Sequence, residues 1–367
     1  MVQPKANIVH LPVYQPGKPI EEVKREFGLT EVIKLASNEN PFGCSDQAKA
    51  AIQAEIANVS LYPDGAAQEL TAALSEFLGV SKDQLIFGNG SDEVILMIAR
   101  AFLTKGDASI MASHTFPQYK HNVEIEGADV IEVPLRDGKH DLQAMLDEVT
   151  ERTKVVWICN PNNPTGTIVT HSELAAFLAR IDANVMVVLD EAYIEYNESS
   201  DYPDGLTLLK SHPNLVLLRT FSKIYGLASL RIGYGIGHPD LIRSINQVRE
   251  PFNTTRVAQA AAKAAISDQA FIARCHEANS EGKQYLNEQF ARLGLSALPT
   301  QGNFIMVDVG RPAGEVFQGL LRRGIIVRGG HQLNFPTSLR VTIGSREQNE
   351  TFISALEQVL AAVPAQV

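Results

Sequence analysis

The feature that most limits how this chain can fold is an alternation between residues 45 and 245, where short apolar runs are followed by segments of helical periodicity. The predicted strands are Leu85–Gly88, Ala108–Met111, Asp129–Val133, Val155–Cys159, Val185–Leu189, Leu215–Arg219 and Arg231–Ile236. The predicted helices are Ala66–Leu78, Ser91–Phe102, Pro117–Gly127, Asp141–Val149, His171–Ile181 and Pro239–Gln247. Strands and helices that alternate in this way form a mostly parallel sheet with helices on both faces. The sequence therefore predicts an α/β fold.

The rest of the chain predicts two further parts, because 367 residues are too many for one simple core. The first part is a proline-rich arm with a short helix at Ile20–Phe27. The second is an α+β domain, with a helical region from about Thr255 to Phe290, strands at Phe304–Asp308, Ile325–Arg328 and Leu339–Ile343, and a last helix from about Gln348 to Val363. We expect an arm at residues 1–44, a large domain at 45–245 and a small domain at 246–367.

Composition excludes several classes of protein. Lysine and arginine number 32 against 42 acidic residues, and a net charge of −10 argues against nonspecific nucleic-acid binding. Cys44, Cys159 and Cys275 lie far apart and predict reduced thiols, and the histidines show no metal-binding spacing, so no metal site is expected. No apolar run is long enough to span a membrane, and we expect a soluble, cytoplasmic protein.

Lys223 carries the strongest chemical signal. It follows the apolar run at 215–218, with the hydroxyls of Thr220 and Ser222 nearby and Arg231 eight residues later. An amine can condense with an aldehyde while hydroxyls and a guanidinium hold an attached phosphate. Pyridoxal 5′-phosphate is such an aldehyde. A solvated lysine at a strand end is the plain alternative for this segment taken alone.

Two further segments complete the pattern. One is NPNNPTG at 160–166, a turn after a strand, and the other is DEAY at 190–193, where Asp190 ends an apolar strand. A buried aspartate beside a pyridine nitrogen keeps that nitrogen protonated, so that the ring can accept electrons. The amide of Asn163 and the hydroxyl of Tyr193 can bind the ring's 3-oxygen.

A phosphate seat is predicted at the glycine-rich turn 88–92, which leads into a helix. Free backbone N–H groups at Gly90, Ser91 and Asp92 and the positive end of the helix dipole favour an anion there, so these three residues are expected to bind the cofactor. The acidic side chains of Asp92 and Glu93 are expected to point away from that anion. An ordinary turn between a strand and a helix is the alternative.

The order NPNNPTG, DEAY, TFSK and RIGY resembles the fold type I pyridoxal-phosphate aminotransferases. Segments 35–41, 62–64, 88–93 and 340–344 follow the order of that family, and segments 14–19, 249–253 and 324–328 are similar to its histidinol-phosphate aminotransferases. The resemblance implies an arm that packs with the small domain and a homodimer in which Tyr62 reaches the partner's cofactor. It also implies that Phe116 stacks on the cofactor ring and that the Asn163–Pro164 bond is cis.

The same resemblance implies the substrate contacts. Arg340 would clamp the α-carboxylate of glutamate. Arg328 would bind the substrate phosphate in one half-reaction and the distal carboxylate of glutamate in the other. Tyr14 would add a phosphate contact, and Asn38 is a further candidate for substrate binding.

The implied reaction is amino transfer between L-histidinol phosphate and 2-oxoglutarate in histidine biosynthesis, with Lys223, Asp190 and Tyr193 as catalytic residues. An aromatic amino acid or prephenate aminotransferase of the same family, with dual specificity included, is the first alternative. A threonine-phosphate decarboxylase shares the scaffold. A regulator that binds pyridoxal phosphate without catalysis would need a DNA-binding segment, for which this chain has neither room nor a basic patch.

Overall fold

The computed structural model describes residues 2–11, 13 and 18–363. The strands are β1 (Ile33–Leu35), β2 (Leu85–Gly88), β3 (Ala108–Ala112), β4 (Asp129–Val133), β5 (Thr153–Cys159), β6 (Met186–Asp190), β7 (Leu215–Thr220), β8 (Gly233–Gly237), β9 (Ser296–Ala297), β10 (Phe304–Asp308), β11 (Ile325–Gly329) and β12 (Ser338–Thr342). The helices are α1 (Ile20–Phe27), α2 (Asp46–Glu55), α3 (Gln68–Leu78), α4 (Ser91–Phe102), α5 (Gln118–Glu126), α6 (Leu142–Asp147), α7 (His171–Leu178), α8 (Gly205–Leu209), α9 (Pro239–Asn246), α10 (Arg256–Ser267), α11 (Gln269–Arg292), α12 (Ala313–Leu321) and α13 (Arg346–Ala362). Within these described ranges, no helix is both long and apolar enough to cross a membrane.

A seven-stranded sheet forms the larger part of the molecule, in the order β2-β8-β7-β6-β5-β3-β4. Strands β7, β6, β5, β3 and β4 pair in parallel, while β8 runs antiparallel to both of its neighbours. The register places Cys159 of β5 opposite Asp190 of β6, and Asp190 opposite Leu218 of β7. The carboxyl ends of these three strands therefore meet at one edge, where ligands bind in open parallel sheets.

The central strands are buried along their whole length, because helices cover both faces of the sheet. Alternate residues enter two different cores: Val156 and Leu189 belong to one, and Val155, Trp157 and Val188 belong to the other. Near-continuous apolar runs are typical of parallel strands buried on both faces. The predicted α/β fold with a mostly parallel sheet is confirmed.

The smaller sheet has the order β1-β11-β12-β10-β9, and β1 comes from the N-terminal part of the chain. β1 pairs in parallel with β11, and Val23 of α1 packs with Leu321 and Ile326 of the C-terminal part. The sequence missed β1 and β9 because strands of two or three residues are too short to show periodicity.

The predicted helical region from 255 to 290 is divided at Asp268, whose side chain accepts a hydrogen bond from the Phe271 N–H and caps α11. Ala258 and Ala262 of α10, and Cys275 of α11, pack into the core of the larger sheet. The boundary at residue 246 stays a prediction, and this packing favours a division inside α11.

Candidate active site

Lys223 lies just beyond the carboxyl end of β7, at the edge of the large sheet where β5, β6 and β7 end, and its side chain is half-buried. Its Nζ donates to the carbonyl of Ser37 at 3.3 Å and lies 5.6 Å from the centre of the Tyr193 ring. Burial, followed by the positive charge of Arg340, lowers the pKa of Lys223 to about 8. On the order of a tenth of this amine is therefore neutral, and nucleophilic, at pH 7, far more than for an ordinary lysine.

Asp190 ends the neighbouring strand β6 and is almost fully buried. Its Oδ2 accepts a hydrogen bond from the Tyr119 hydroxyl at 2.6 Å, and its Oδ1 accepts one from the Ala192 N–H at 3.1 Å. Burial raises the pKa of Asp190 to about 6, against the effect of these two hydrogen bonds. The carboxylate is thus held in a fixed orientation and is ionised at neutral pH, as a partner for a protonated ring nitrogen must be.

Tyr193, Asn38 and Asn163 come together from three separate segments. The Tyr193 hydroxyl accepts hydrogen bonds from Asn38 Nδ2 at 3.0 Å and from Asn163 Nδ2 at 3.3 Å. Burial raises the pKa of Tyr193, so its phenol keeps a proton that it can donate to a further oxygen. Arg340 Nη1 donates to Asn163 Oδ1 at 2.5 Å, which links this group to the small sheet.

The two predicted substrate arginines are direct cross-strand partners. Arg328 of β11 lies opposite Arg340 of β12, so both side chains leave the same face of the small sheet. Arg340 is buried and its Nη2 donates to the Ala36 carbonyl at 2.6 Å. Arg328 is half-buried and has neither a hydrogen-bond nor an ion-pair partner among residues 2–11, 13 and 18–363. Like charges directly opposite each other are unfavourable, and an anion held between them would relieve this.

At the predicted phosphate-binding turn, glycines lie so close to their neighbours that no side chain would fit. Gly90 caps α4 with φ 79°, and a Cβ at this position would lie 2.6 Å from Arg231 Nη2. A Cβ on Gly233 of β8 would lie 2.4 Å from the Ser91 nitrogen. Arg231 Nη1 donates to Ser222 Oγ at 3.3 Å.

Thr220 completes this seat, because its Oγ1 accepts a hydrogen bond from the Ser222 N–H at 3.1 Å. The hydroxyls, the guanidinium and the helix N-terminus expected for a phosphate are therefore together, and the donor set fits pyridoxal phosphate.

The acidic side chains of this turn do not behave as expected. Asp92 Oδ2 pairs with Arg231 Nη2 at 3.0 Å, so the expectation that it points away from the phosphate seat was wrong. The first turn of α4 brings the carboxylate within reach of the guanidinium, and the two charges attract. Glu93 does turn aside: its Oε2 accepts from the Asn89 N–H and from Asn253 Nδ2, both at 2.6 Å.

The remaining predicted residues are more dispersed. The centre of the Phe116 ring lies 5.6 Å from that of Tyr119, at an edge-on angle of 78°. Tyr62 is 78% exposed and stacks on Phe252 with ring centres 4.8 Å apart. Tyr14 lies outside the described residues.

The predicted cis bond at Asn163–Pro164 was wrong, because the cis bond is Asn160–Pro161. The turn contains two asparagine–proline bonds of similar intrinsic cost, which the sequence did not distinguish.

No sequence motif selected Tyr119, although it contacts Asp190 directly. It lies at the start of α5, and a buried tyrosine on an apolar helix face is typical of a core residue. Its spacing of three residues from Phe116 could have identified it, because this spacing places both rings on one side of the same turn.

The fold is that of the fold type I pyridoxal-phosphate aminotransferases. Residues 30–356 match the family described as aminotransferase class I and II, and the chain belongs to that family. It is 57% identical to a histidinol-phosphate aminotransferase of Brevibacillus brevis (strain 47 / JCM 6285 / NBRC 100599), over 98% of this chain and 99% of the relative. It is 56% identical to one of Bacillus subtilis (strain 168), over 97% of this chain and 99% of the relative.

A solved structure agrees with these relatives. The histidinol-phosphate aminotransferase from Sinorhizobium meliloti, in complex with pyridoxal-5′-phosphate, matches with a TM-score of 0.91 and 28% identity, over 99% of this chain and 98% of that one. The family resemblance read from the motifs is therefore confirmed.

Proposed function

We propose that this chain transfers an amino group between L-histidinol phosphate and 2-oxoglutarate, giving imidazole-acetol phosphate and glutamate in histidine biosynthesis. Relatives that are 57% and 56% identical over nearly their whole length are histidinol-phosphate aminotransferases. The structural observation that carries the proposal is the meeting of Lys223, Asp190 and Tyr193 beside a phosphate seat, with Arg328 and Arg340 facing the same way.

The residues of the large domain would hold the cofactor. Asp190 would pair with its ring nitrogen, while Tyr193 and Asn163 would bind its ring oxygen. Phe116 would cover one face of its ring. Its phosphate would be held by a set of groups at the start of α4 and at or beyond the end of β7, namely Gly90, Ser91, Asp92, Thr220, Ser222 and Arg231.

When bound, pyridoxal phosphate supplies an aldehyde that takes up the amino group and a ring that withdraws electrons from the α-carbon. The chain supplies the proton transfer. The Lys223 amine, with its lowered pKa, would take the proton from the substrate α-carbon and would then give that proton up again to complete the amino transfer. Asp190 keeps its negative charge through this step because it is ionised near neutral pH.

Residues of the small domain would determine the substrate specificity. Arg340 would bind the α-carboxylate of glutamate, a group that histidinol phosphate lacks. Arg328 would bind an anion at the far end of either substrate, a phosphate in one case and a carboxylate in the other. Its half-buried guanidinium is available for such an anion within the described part of the chain. Asn38 donates to the Tyr193 hydroxyl and accepts from Thr342 Oγ1 of β12, and from there it would contact a bound substrate.

We also propose a homodimer in the cytoplasm, with Tyr62 reaching the cofactor of the partner subunit. Support comes from the exposure of Tyr62, together with exposed apolar side chains at Ile56, Val59, Leu61 and Phe252. Apolar residues exposed together in this way are typical of an interaction surface.

Single-turnover measurements of each half-reaction test the substrate assignment. Arg328→Ala should slow the reaction with histidinol phosphate by about ten- to a hundred-fold, because a hydrogen bond to a charged group is worth roughly 1.5–3 kcal/mol. Phenylalanine has no distal anion and should be affected less. Arg340→Ala should do the reverse, with glutamate and phenylalanine slowed more than histidinol phosphate.

The matched control is Arg322→Ala, which removes an exposed arginine of the same domain and should change neither rate. Equal loss of activity toward phenylalanine and histidinol phosphate in Arg328→Ala would make Arg328 a structural residue. The aromatic aminotransferase alternative would then be favoured.

A further inference from the structure

Within the described part of the chain, Tyr119 is the only residue whose side chain donates a hydrogen bond to Asp190. No motif of the sequence selected it. The oxygen–oxygen distance of 2.6 Å is that of a strong hydrogen bond to a carboxylate. Tyr119 has no exposed surface, so water cannot replace it as a donor. Its loss would therefore change the state of the Asp190 carboxylate directly.

The Tyr119 ring is fixed by aromatic packing. It stacks on Trp157 with ring centres 5.0 Å apart and an angle of 11°. Trp157 is itself anchored, because its Nε1 donates to Ser109 Oγ at 2.8 Å and that hydroxyl donates to the Val155 carbonyl at 3.0 Å. Phe116 closes the other side at an edge-on angle. The hydroxyl is therefore aimed at Asp190 by a rigid chain of contacts that reaches back to β3 and β5.

On the basis of the proposed function, we propose that Tyr119 is a positioning residue. It keeps Asp190 ionised and correctly oriented for the ring nitrogen of the cofactor. A donor to the charged form of a carboxyl group stabilises that form relative to the neutral one. Without it, Asp190 would hold a proton at higher pH and could not pair with a protonated ring.

The other groups around Asp190 do not take over this task. Asp92 of α4 and Glu191 of the adjoining turn carry negative charge, which favours protonation of Asp190. Glu191 is paired with Arg219 at 2.8 Å, and burial raises the pKa of Cys159 on β5 to about 12, so that the thiol is neutral. Tyr193 is also neutral near pH 7. The Ala192 N–H is the second donor, and it contacts the other oxygen.

The test is the pH dependence of pyridoxamine 5′-phosphate binding to apoprotein. This ligand has the ring and phosphate of the cofactor but no aldehyde to react with Lys223. Binding is followed by quenching of Trp157, the only tryptophan of the chain. In the wild type, affinity should fall as pH decreases through the pKa of Asp190. In Tyr119→Phe this break point should move up by about one to two pH units, since that is the value of a hydrogen bond to a charged group.

Tyr119→Met, which also lacks a donor but packs differently, should show the same shift, and it serves if the phenylalanine variant does not fold. Tyr196→Phe is the matched control, because it removes a buried hydroxyl that does not contact Asp190. Titration of the ligand itself is common to all these proteins and cancels in the comparison.

A uniform loss of affinity in the Tyr119 variants, with an unchanged break point, would mean that Tyr119 only supports packing and would overturn the inference. If the wild type bound no pyridoxamine phosphate at any pH, the proposed function would fail with it. The two failures are therefore distinguishable.

Discussion

At the scale of single residues, the site depends on two groups whose pKa values are moved toward neutrality from opposite sides. Burial lowers the pKa of Lys223 to about 8 and raises that of Asp190 to about 6. Between these values the carboxylate is mostly charged, and the neutral share of the amine increases with pH until it reaches about one half at the upper value. Acid–base catalysis is most effective when the pKa of the catalytic group lies near the working pH.

Covalent attachment of pyridoxal phosphate to the apoprotein should consequently depend on pH. The neutral amine is the nucleophile, so the rate of attachment should rise as pH increases and level off above about 8, far below the ordinary lysine value of about 10.4. Lys223→Ala should lose the attachment, as measured by mass spectrometry after borohydride reduction. Lys210→Ala, at an exposed lysine, is the control and should behave as the wild type. A wild-type level of attachment in Lys223→Ala would exclude this lysine.

The sequence predicted the types of residue at the strand ends, because an aspartate that ends an apolar run, or a lysine a few residues beyond one, lies near the end of a strand. It could not predict that Arg328 and Arg340 lie opposite each other, since strand register depends on contacts between distant segments. It also missed Tyr119, because burial of a helix face does not reveal which hydroxyl finds a carboxylate.

At the scale of elements, α4 does most to shape the phosphate seat. Its N-cap is Gly90, which has no side chain to accept a hydrogen bond from the first turn. Glu93 at the third helical position reaches back to the Asn89 N–H instead, as in one half of a capping box. The same oxygen accepts from Asn253, whose Oδ1 accepts from Arg249, and Arg249 Nη1 also donates to the Gly65 carbonyl at 2.9 Å. The seat and the loop that carries Tyr62 are thus connected.

Glu93→Gln should weaken this connection while it preserves the shape of the side chain. We expect the free energy of unfolding to fall by about 1 kcal/mol, because two charge-assisted hydrogen bonds become neutral ones. Denaturant titration would measure this loss. Glu76→Gln, at an exposed position of α3, is the matched control and should change stability by less than about 0.5 kcal/mol. If both variants were equally stable, the hydrogen bonds of Glu93 would make no net contribution to the free energy of unfolding.

Element boundaries followed from the sequence where a cap or a long apolar run defines them. Thr170-His171-Ser172-Glu173 has the sequence pattern of a capping box, and this box is present at the start of α7, where the Thr170 N–H donates to Glu173 Oε2 at 2.6 Å. The short helix α8 and the helix α2 were not predicted, because α8 has only five residues and α2 buries little of its surface. Tertiary packing rather than local pattern decides such elements.

At the scale of the whole molecule, the site is assembled from three parts of the chain. Asn38 lies just after β1 and joins them: its N–H donates to Thr342 Oγ1 at 3.0 Å, and its Nδ2 donates to Tyr193. Arg340 connects the small sheet to Asn163 of the large domain. A substrate bound at these side chains would touch both domains at once, so binding and the relative position of the domains should be coupled.

The proposed dimer adds a fourth part, and mixing of two variant subunits tests it. If Tyr62 crosses to the partner subunit, a mixed dimer of Tyr62→Phe and Lys223→Ala has one site with both changes and one with neither. Activity should reappear relative to the Lys223→Ala parent, with wild-type cofactor affinity at the intact site. Two affinity tags would isolate the mixed dimer. Activity accompanied only by the weaker affinity of the Tyr62→Phe parent would reject the crossed arrangement.

The contact between Gly233 and the start of α4 sets a limit on how this enzyme can be redesigned. A side chain at residue 233 would run into the Ser91 nitrogen at 2.4 Å, and one at residue 235 would press on Ile86 and Val94. Because these neighbours are backbone and buried core, the strand cannot exchange its glycines without moving the helix away. Mutant libraries that aim to change how the cofactor phosphate is bound should therefore vary the side chains around the phosphate seat and keep the glycines of β8.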